Sequence, residues 1–213
     1  MTMEDDNDAS SVESFALHVV LFPILDELEK IDLSAAQTLR AAFEKAEKQN
    51  PGISQDIISG MLEARSAGVN LNTECLLKLA ALDSEEYTLR RKEDVFEKLN
   101  QQAKELKKIL ARLPDEIGDR PKFLQTIKDI ASGIKDLLEA LNKLIKKHGA
   151  GRLKDRKSVL DAHKKEFINS SKNFSDTLKI YFRDGHITNV YKSANKLVND
   201  TNTILKMLKS VGN

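Results

Sequence analysis

Tryptophan is absent from this sequence, aromatic side chains make up 5% of it, and it holds only 9 glycines and 4 prolines. Sheets draw on aromatic and β-branched pairs and on frequent turn residues, so this shortage argues against a β fold. Cysteine occurs once, as Cys75 within ECLLKLAAL. A single thiol closes no disulfide within the chain, which excludes a disulfide scaffold and points to a reducing compartment; we expect it to be a buried helical thiol. Long apolar runs are missing too. The longest, Phe15 to Leu25, is interrupted by His18 and Pro23 and falls short of the about 20 residues that span a bilayer. The preceding MTMEDDNDASSVES is acidic where an export signal carries positive charge, and residues 1–13 read as a solvated acidic tail. There is no HExxH, paired CxxC, glycine-rich phosphate loop or GxSxG, and the histidines are scattered at His18, His148, His163 and His186. No catalytic residue, metal or cofactor is expected. His163 and Glu166 can share a helix face as metal ligands, but beside Lys164 and Lys165 the simpler reading is a solvated pair.

What the sequence does hold is charge and aliphatic surface in helical rhythm. Its 213 residues are 31% charged and 40% hydrophobic, enough for one or two modest cores, and the balance favours long solvated helices. The fold class read from this is all-α. A formal net charge of +1 conceals an asymmetry: residues 1–90 carry 17 acids and 7 bases, and residues 91–213 carry 16 acids and 27 bases. Such opposition can steer partners or hold the halves together, although exposed charges more than about 8 Å apart are largely screened at physiological salt.

From Asp94 onward four amphipathic helices are predicted. Leu99, Ala103, Leu106, Leu110 and Leu113 keep to one face until Pro114 ends the first. The second opens near Pro121 and carries Ile127, Ala131, Ile134, Leu138, Leu141 and Ile145 to the basic, glycine-stopped KKHGAG. The third carries Leu160, Phe167, Phe174, Leu178 and Tyr181 up to RDG. The fourth carries Ile187, Val190, Ala194, Leu197, Thr201, Ile204, Leu208 and Val211. Short joins make this an antiparallel four-helix bundle over residues 94–213.

Residues 14–66 read instead as shorter helices, followed by a linker over 67–93. Ser34 and Gln37 form a capping-box pattern, NPG at Asn50 to Gly52 ends that helix, Ser54 starts another, and a further helix begins at Asn72 or Thr73. FALHVVLFPIL is apolar on nearly every side, and Leu39, Ala42, Phe43, Ile57, Ile58, Met61 and Leu62 add more apolar surface than short helices hide from one another. A second chain can cover that excess; so can the bundle.

The segments LSAAQTLRAAF, KAEKQNPGISQDII, FLQTIKDIASGIKDLLEALN, KKEF, FSDTLKIYFRDG and SANKLVNDTNTIL occur in the order, and extend over nearly the whole length, of the programmed cell death protein 10 family, also known as the cerebral cavernous malformations 3 family, which this sequence closely resembles. The resemblance is weaker over residues 71–93 and in the loop from His148 to Arg156; Met61 stands where a branched aliphatic residue is expected and Gly133 where an alanine is. It implies a non-catalytic adaptor with an intertwined N-terminal dimerisation domain and a C-terminal bundle similar to the focal adhesion targeting domain. It further implies a homodimer, or a heterodimer with the tails of Ste20-type germinal-centre kinase III kinases, through Leu39, Ala42, Phe43, Met61 and Leu62. The implied bundle partners are striatin, in a phosphatase-and-kinase assembly, and the leucine-aspartate helices of paxillin and the cavernous malformation 2 scaffold. Roles in cell survival, vascular development and Golgi and cell-junction organisation go with these, at a cytoplasmic, Golgi and peripheral plasma-membrane location.

The residues offer a matching surface. Lys128, Ser132 and Lys135 share one face of the second bundle helix, with Ala131 at its core-side border, and Lys172, Ser175 and Lys179 repeat the pattern on the third. Each lysine pair lies about a third of a turn from its apolar stripe, in the same sense. Spacing alone allows these faces to point apart or simply to keep the helices soluble; the resemblance selects a shared groove for an amphipathic helix with leucines inward and aspartates outward. A membrane-surface module is the alternative, with Lys146, Lys147, Arg152, Lys154, Arg156 and Lys157 holding phosphoinositide or other acidic head groups. No nucleic-acid partner is expected, because the bases lack interleaved aromatics for stacking.

Overall fold

The computed structural model describes residues 16–65, 73–79, 87–89, 91, 93–149, 151 and 153–210. Most of them are helical and none is a strand, so the fold is all-α as expected. The chain divides into two compact units, Met1–Leu79 and Ala80–Asn213. The acidic tail, the linker stretches 67–72 and 80–86, and Val211 lie outside the described residues.

The first unit opens with a π-helical turn, Leu17–Leu21, that runs into α1, Phe22–Glu29. The amide of Phe22 donates to the Leu17 carbonyl, one residue further back than in an α-helix. This wider turn directly precedes Pro23, which has no N–H to give. Helix α2, Leu33–Gln49, is capped by Asp32, whose carboxylate accepts from the Ala35 amide at 2.9 Å. The Ser34–Gln37 capping box therefore does not form. Extended backbone at Asp32 puts a carboxylate at the cap position, and Ser34, inside the first turn, accepts the Thr38 hydroxyl on its carbonyl at 2.8 Å. NPG ends α2 as expected: Gly52, at φ 92°, reverses the chain in a conformation that side chains other than glycine resist. Helix α3, Ile53–Arg65, then starts one residue before Ser54, and α4, Thr73–Leu79, starts at the expected Thr73.

A small core of Leu17, Phe22 and Leu25, flanked by Leu21, Leu28 and Phe43, binds the opening helix to α2. Arg40 seals its edge, its guanidinium 4.4 Å from the Phe22 ring centroid and 2.5 Å from Asp26. On α4 the buried residues are Leu76 and Leu77. Cys75 is exposed, against the expectation of a buried thiol. A residue adjoining two buried ones on a helix is turned about 100° from the first of them and so faces outward.

The second unit is built from α5 (Asp94–Leu110), a single turn α6 (Leu113–Glu116), α7 (Arg120–His148), α8 (Lys157–Asp184) and α9 (Ile187–Ser210). All five residues of the first predicted stripe are buried, but the helix stops at Leu110, and Pro114 sits in the first turn of α6 instead of terminating α5. Side-chain contacts fix the directions. The His148 imidazole lies 3.1 Å from Glu93 just before α5, while Arg112 after α5 reaches Asp129 near the start of α7. Phe123 near the start of α7 meets Tyr181 at the end of α8, and Thr177 and Ser193 join α8 to α9. Successive long helices thus run antiparallel. Lys107 of α5 donates to Asn202 of α9 at 3.2 Å, closing the four-helix bundle.

Two stripes differ from those expected. On α7 the packed line is Phe123, Thr126, Ile130, Gly133, Leu137, Ala140, Leu141 and Leu144; of the predicted set only Leu141 is buried, Ala131 is exposed and the others are half-buried. The apolar arc of this helix is wider than one neighbour covers, and its centre falls on α5. Helix α9 is enclosed on almost every side, burying Asn195, Asp200, Thr201 and Asn202 along with its predicted apolar face. Amphipathic spacing does not describe it.

Candidate functional site

Two surfaces hold the residues of interest, one in each unit. In the first, Leu39 is 41% exposed and Met61 63%; Ala42 is also exposed, whereas Leu62 is half-buried and Phe43 packs on the Leu17–Phe22–Leu25 core. Three apolar residues absent from the sequence-based set join them: Ile24, Ile31 and Leu33, at 58%, 84% and 54% exposure. They were recognisable only as surplus apolar residues around the first helices, because which of those would stay uncovered depends on how α1 meets α2. Five of the nine large hydrophobic residues exposed in the described chain therefore belong to this small unit. Apolar side chains left in such numbers on one small unit give a second chain surface to cover.

The turn between α2 and α3 is held from within. Glu47 is buried and accepts the amides of Gly52 and Ser54, at 2.7 and 3.0 Å, together with the Ser54 hydroxyl. Three donors converge on one carboxylate, so the angle between the helices that carry Leu39 and Met61 is set by a buried polar clamp. Periodicity gives no sign of it, since Glu47 sits on a helix where a solvated glutamate is the ordinary case.

In the second unit, contacts among Phe123, Tyr181 and Phe182 set the register of α7 against α8. The Phe123 ring is 5.5 Å from that of Tyr181 and 5.9 Å from that of Phe182. Two antiparallel helices of equal rise keep that register along their length. Lys128, Ala131 and Lys135 lie on α7 of this antiparallel pair, and Lys172, Ser175 and Lys179 on α8. All six of these residues, and Ser132, are exposed. Helix α5 and the turn of α6 that follows it lie on the side of α7 marked by Gly133, Asp129 and Thr126. The other flank is half-covered at Ile127, Ile134 and Leu138 and open at Ala131. On α7, Lys128 and Lys135 lie further from the packed stripe than the third of a turn expected, nearly opposite it, because that stripe is centred towards α5. Among the described residues, Lys179 is the one of the four lysines held in an ion pair, 2.7 Å from Asp176.

The α5–α7 side is braced by ion pairs and one glycine. Arg112 bonds Glu116 at 2.9 Å, and Thr126 donates to the same carboxylate. Burial pushes the Glu116 carboxyl up, but the Thr126 and Arg112 donors outweigh it and leave it below the ordinary glutamate range. Asp119 caps α7, and the Lys122 ammonium and backbone amide hold its carboxyl below the usual aspartate value. A Cβ on Gly133 would lie 3.2 Å from Leu106 Cδ1, so at this glycine α7 packs tightly on α5.

Glu166 pairs with Lys196 at 3.2 Å, and no cluster of three metal-ligating side chains occurs among the described residues. Of the basic cluster, Lys146, Lys147, Lys154, Arg156 and Lys157 are exposed, and Arg152 lies outside the described residues. No described helix is long and apolar enough to cross a membrane.

Comparison with known families bears on both surfaces. Residues 9–68 match the family described as programmed cell death protein 10, dimerisation domain, and residues 69–161 match programmed cell death protein 10, C-terminal. This chain belongs to the programmed cell death protein 10 family. A programmed cell death protein 10 homolog from Caenorhabditis elegans is 33% identical over 176 residues, 82% of this chain and 80% of the relative. In this family member the surface of Leu39 and Met61 falls within the part matched as a dimerisation domain. The C-terminal match ends at residue 161, before the lysines of α8. Membership and a dimerisation domain support a non-catalytic adaptor role.

Proposed function

We propose that the chain is a non-catalytic adaptor that joins partners through two separate surfaces. The observation that carries this is the apolar surface left exposed by α1, α2 and α3 within a dimerisation domain. Residues 14–66 pair with a second copy of the chain, or with the similar tail of a germinal-centre kinase III kinase, through Leu39, Ala42, Phe43, Met61 and Leu62. Residues 67–93 act as linker, and residues 94–213 as the second module, binding striatin and the leucine-aspartate helices of paxillin and the cavernous malformation 2 scaffold. The site for those helices is the α7–α8 groove, with Ala131, Ser132 and Ser175 on its floor and Lys128, Lys135, Lys172 and Lys179 on its rims. Buried leucines supply most of the affinity, about 1.5 to 3 kcal/mol each, against about 0.2 to 1 for an exposed ion pair, so the lysines chiefly set orientation and encounter rate. Changing all four lysines to aspartate is expected to weaken a leucine-aspartate peptide at least 10-fold in a fluorescence titration; unaltered affinity would remove the groove from the proposal.

The exposed basic end, Lys146, Lys147, Lys154, Arg156 and Lys157, favours a second reading that can coexist with the first: binding to phosphoinositide membranes at the Golgi or plasma membrane. Co-sedimentation with liposomes, with and without phosphoinositide and at two salt concentrations, tests it.

A further inference from the structure

Tyr87, Thr88, Leu89, Arg91 and Glu93 belong to the expected linker, yet they lie along the bundle as a strap. Tyr87 and Leu89 are buried, Arg91 and Glu93 half-buried, and Thr88 is exposed. The contacts follow the same alternation. The Tyr87 ring centroid is 5.5 Å from the Lys107 ammonium, the Arg91 guanidinium is 4.6 Å from the Phe96 ring centroid, and Glu93 lies 3.1 Å from the His148 imidazole. Leu89 is held by its backbone as well: its amide donates to Asn100 Oδ1 at 3.1 Å, and Asn100 Nδ2 donates to its carbonyl at 2.9 Å. Contact at every second residue is the habit of an extended chain. Two bonds to the amide and carbonyl of one residue are what a neighbouring strand would give, so the Asn100 side chain stands in for a strand. The strap does not fill the face it covers. A cavity of about 320 Å³ remains between Tyr87 and Thr88 on one side and Asn100, Lys104 and Lys107 of α5 and Leu205 of α9 on the other.

We infer that this face of α5, bordered by Leu205, is a docking surface for an extended partner segment with an aromatic, an aliphatic and a cationic side chain at alternate positions, and that the strap fills it in cis until displaced. Each group on the face selects one feature of the occupant. Asn100 reads an extended backbone and is indifferent to the side chain it carries. The buried Leu89 position takes an aliphatic group. Lys107 offers a cation to a ring, and Phe96 offers a ring to a cation. The cavity beside Tyr87 is room the strap leaves unused, so a partner with a larger ring gains contacts that the strap lacks. The occupant is extended and cationic, which separates this face from the groove between α7 and α8. A strap tethered beside its own site competes at an effective concentration of about millimolar, so an outside segment binds weakly unless the strap is loosened.

The test uses the full-length protein and a fluorescent peptide, EYTLRRKE, copied from residues 86–93. Tyr87→Ala combined with Leu89→Ser alters the strap and leaves the face intact. This released chain should bind the peptide at least about 10-fold tighter than wild type, because its own competitor is weakened. N-methylation of the peptide's leucine amide removes the donor to Asn100 and should weaken binding about 10-fold; methylation of the preceding threonine amide, which points the other way in an extended chain, should not. Asn100→Ala in the released chain should cancel the difference between the two methylated peptides. Naphthylalanine in place of the tyrosine should bind tighter, and a weaker complex would overturn the role given to the cavity. Thermal melts check each variant's fold, and wild type at millimolar peptide must still tell the two methylated peptides apart. Equal affinity of wild type and released chain, no binding to the released chain, or equal loss on methylating either amide would overturn the docking surface.

Discussion

Glu47 and Gly133 are single residues on which helix geometry depends, and neither carries a recognition group. Removing the Glu47 carboxylate strands the amides of Gly52 and Ser54 and the Ser54 hydroxyl, which is fully buried. Hydrogen bonds to a charged acceptor are worth about 1.5 to 3 kcal/mol, so Glu47→Ala should cost at least about 2 kcal/mol. Faster amide exchange confined to the α2–α3 turn would report it. At Gly133 two effects compete. Alanine recovers about 1 kcal/mol of helix propensity, and its Cβ is crowded by one atom, Leu106 Cδ1 at 3.2 Å, the end of a side chain that need give by only a few tenths of an ångström, while Leu106 Cβ and Ile109 Cδ1 lie at ordinary contact distance. Gly133→Ala should therefore raise the urea midpoint of the second unit, whereas Gly133→Leu should lower it by forcing α7 off α5.

Among elements, the α5–α6–α7 corner is the one most exposed to acid. Glu116 and Asp119 both titrate below their ordinary values in the folded protein, which therefore holds fewer protons there than the unfolded chain. Their contribution is complete above the usual carboxylate range and is lost as pH falls through it towards the lowered values. The urea midpoint of the bundle should fall between pH 5 and pH 3, and Glu116→Gln should flatten that fall. The same corner shows why element boundaries escaped the sequence. Pro114 was legible as a break, but whether a proline ends one helix or opens the next depends on where the chain turns, and here Arg112 and Glu116 bond across the new turn. On α7 the spacing announced a helix correctly and misplaced its buried line, because an apolar arc this wide carries two flanks and only a neighbour chooses between them.

For the whole molecule, the proposed self-association gives Leu39→Asp a distinct signature. The side chain is partly exposed in the single chain, so aspartate there leaves the monomer folded, yet it would bury an unpaired charge in a pair, at a cost of several kcal/mol. Light scattering after size exclusion should show wild type as a dimer and the variant as a folded monomer, with affinity reduced at least about 100-fold. A wild-type chain that elutes as a monomer at every concentration would defeat the pairing.

Composition and periodicity alone determined that this chain is helical, that its two halves differ in character, and that the front half has apolar surface to spare. These properties are local or additive, and each residue carries its share of them regardless of partners. The tertiary structure decided what depends on a second element being present. It turned Ala131 outward and enclosed α9, put Asp32 and not Ser34 at the head of α2, and exposed Cys75. Each of these is a choice between faces that the sequence left nearly equal in energy, and burial against a particular neighbour made one of them the lower.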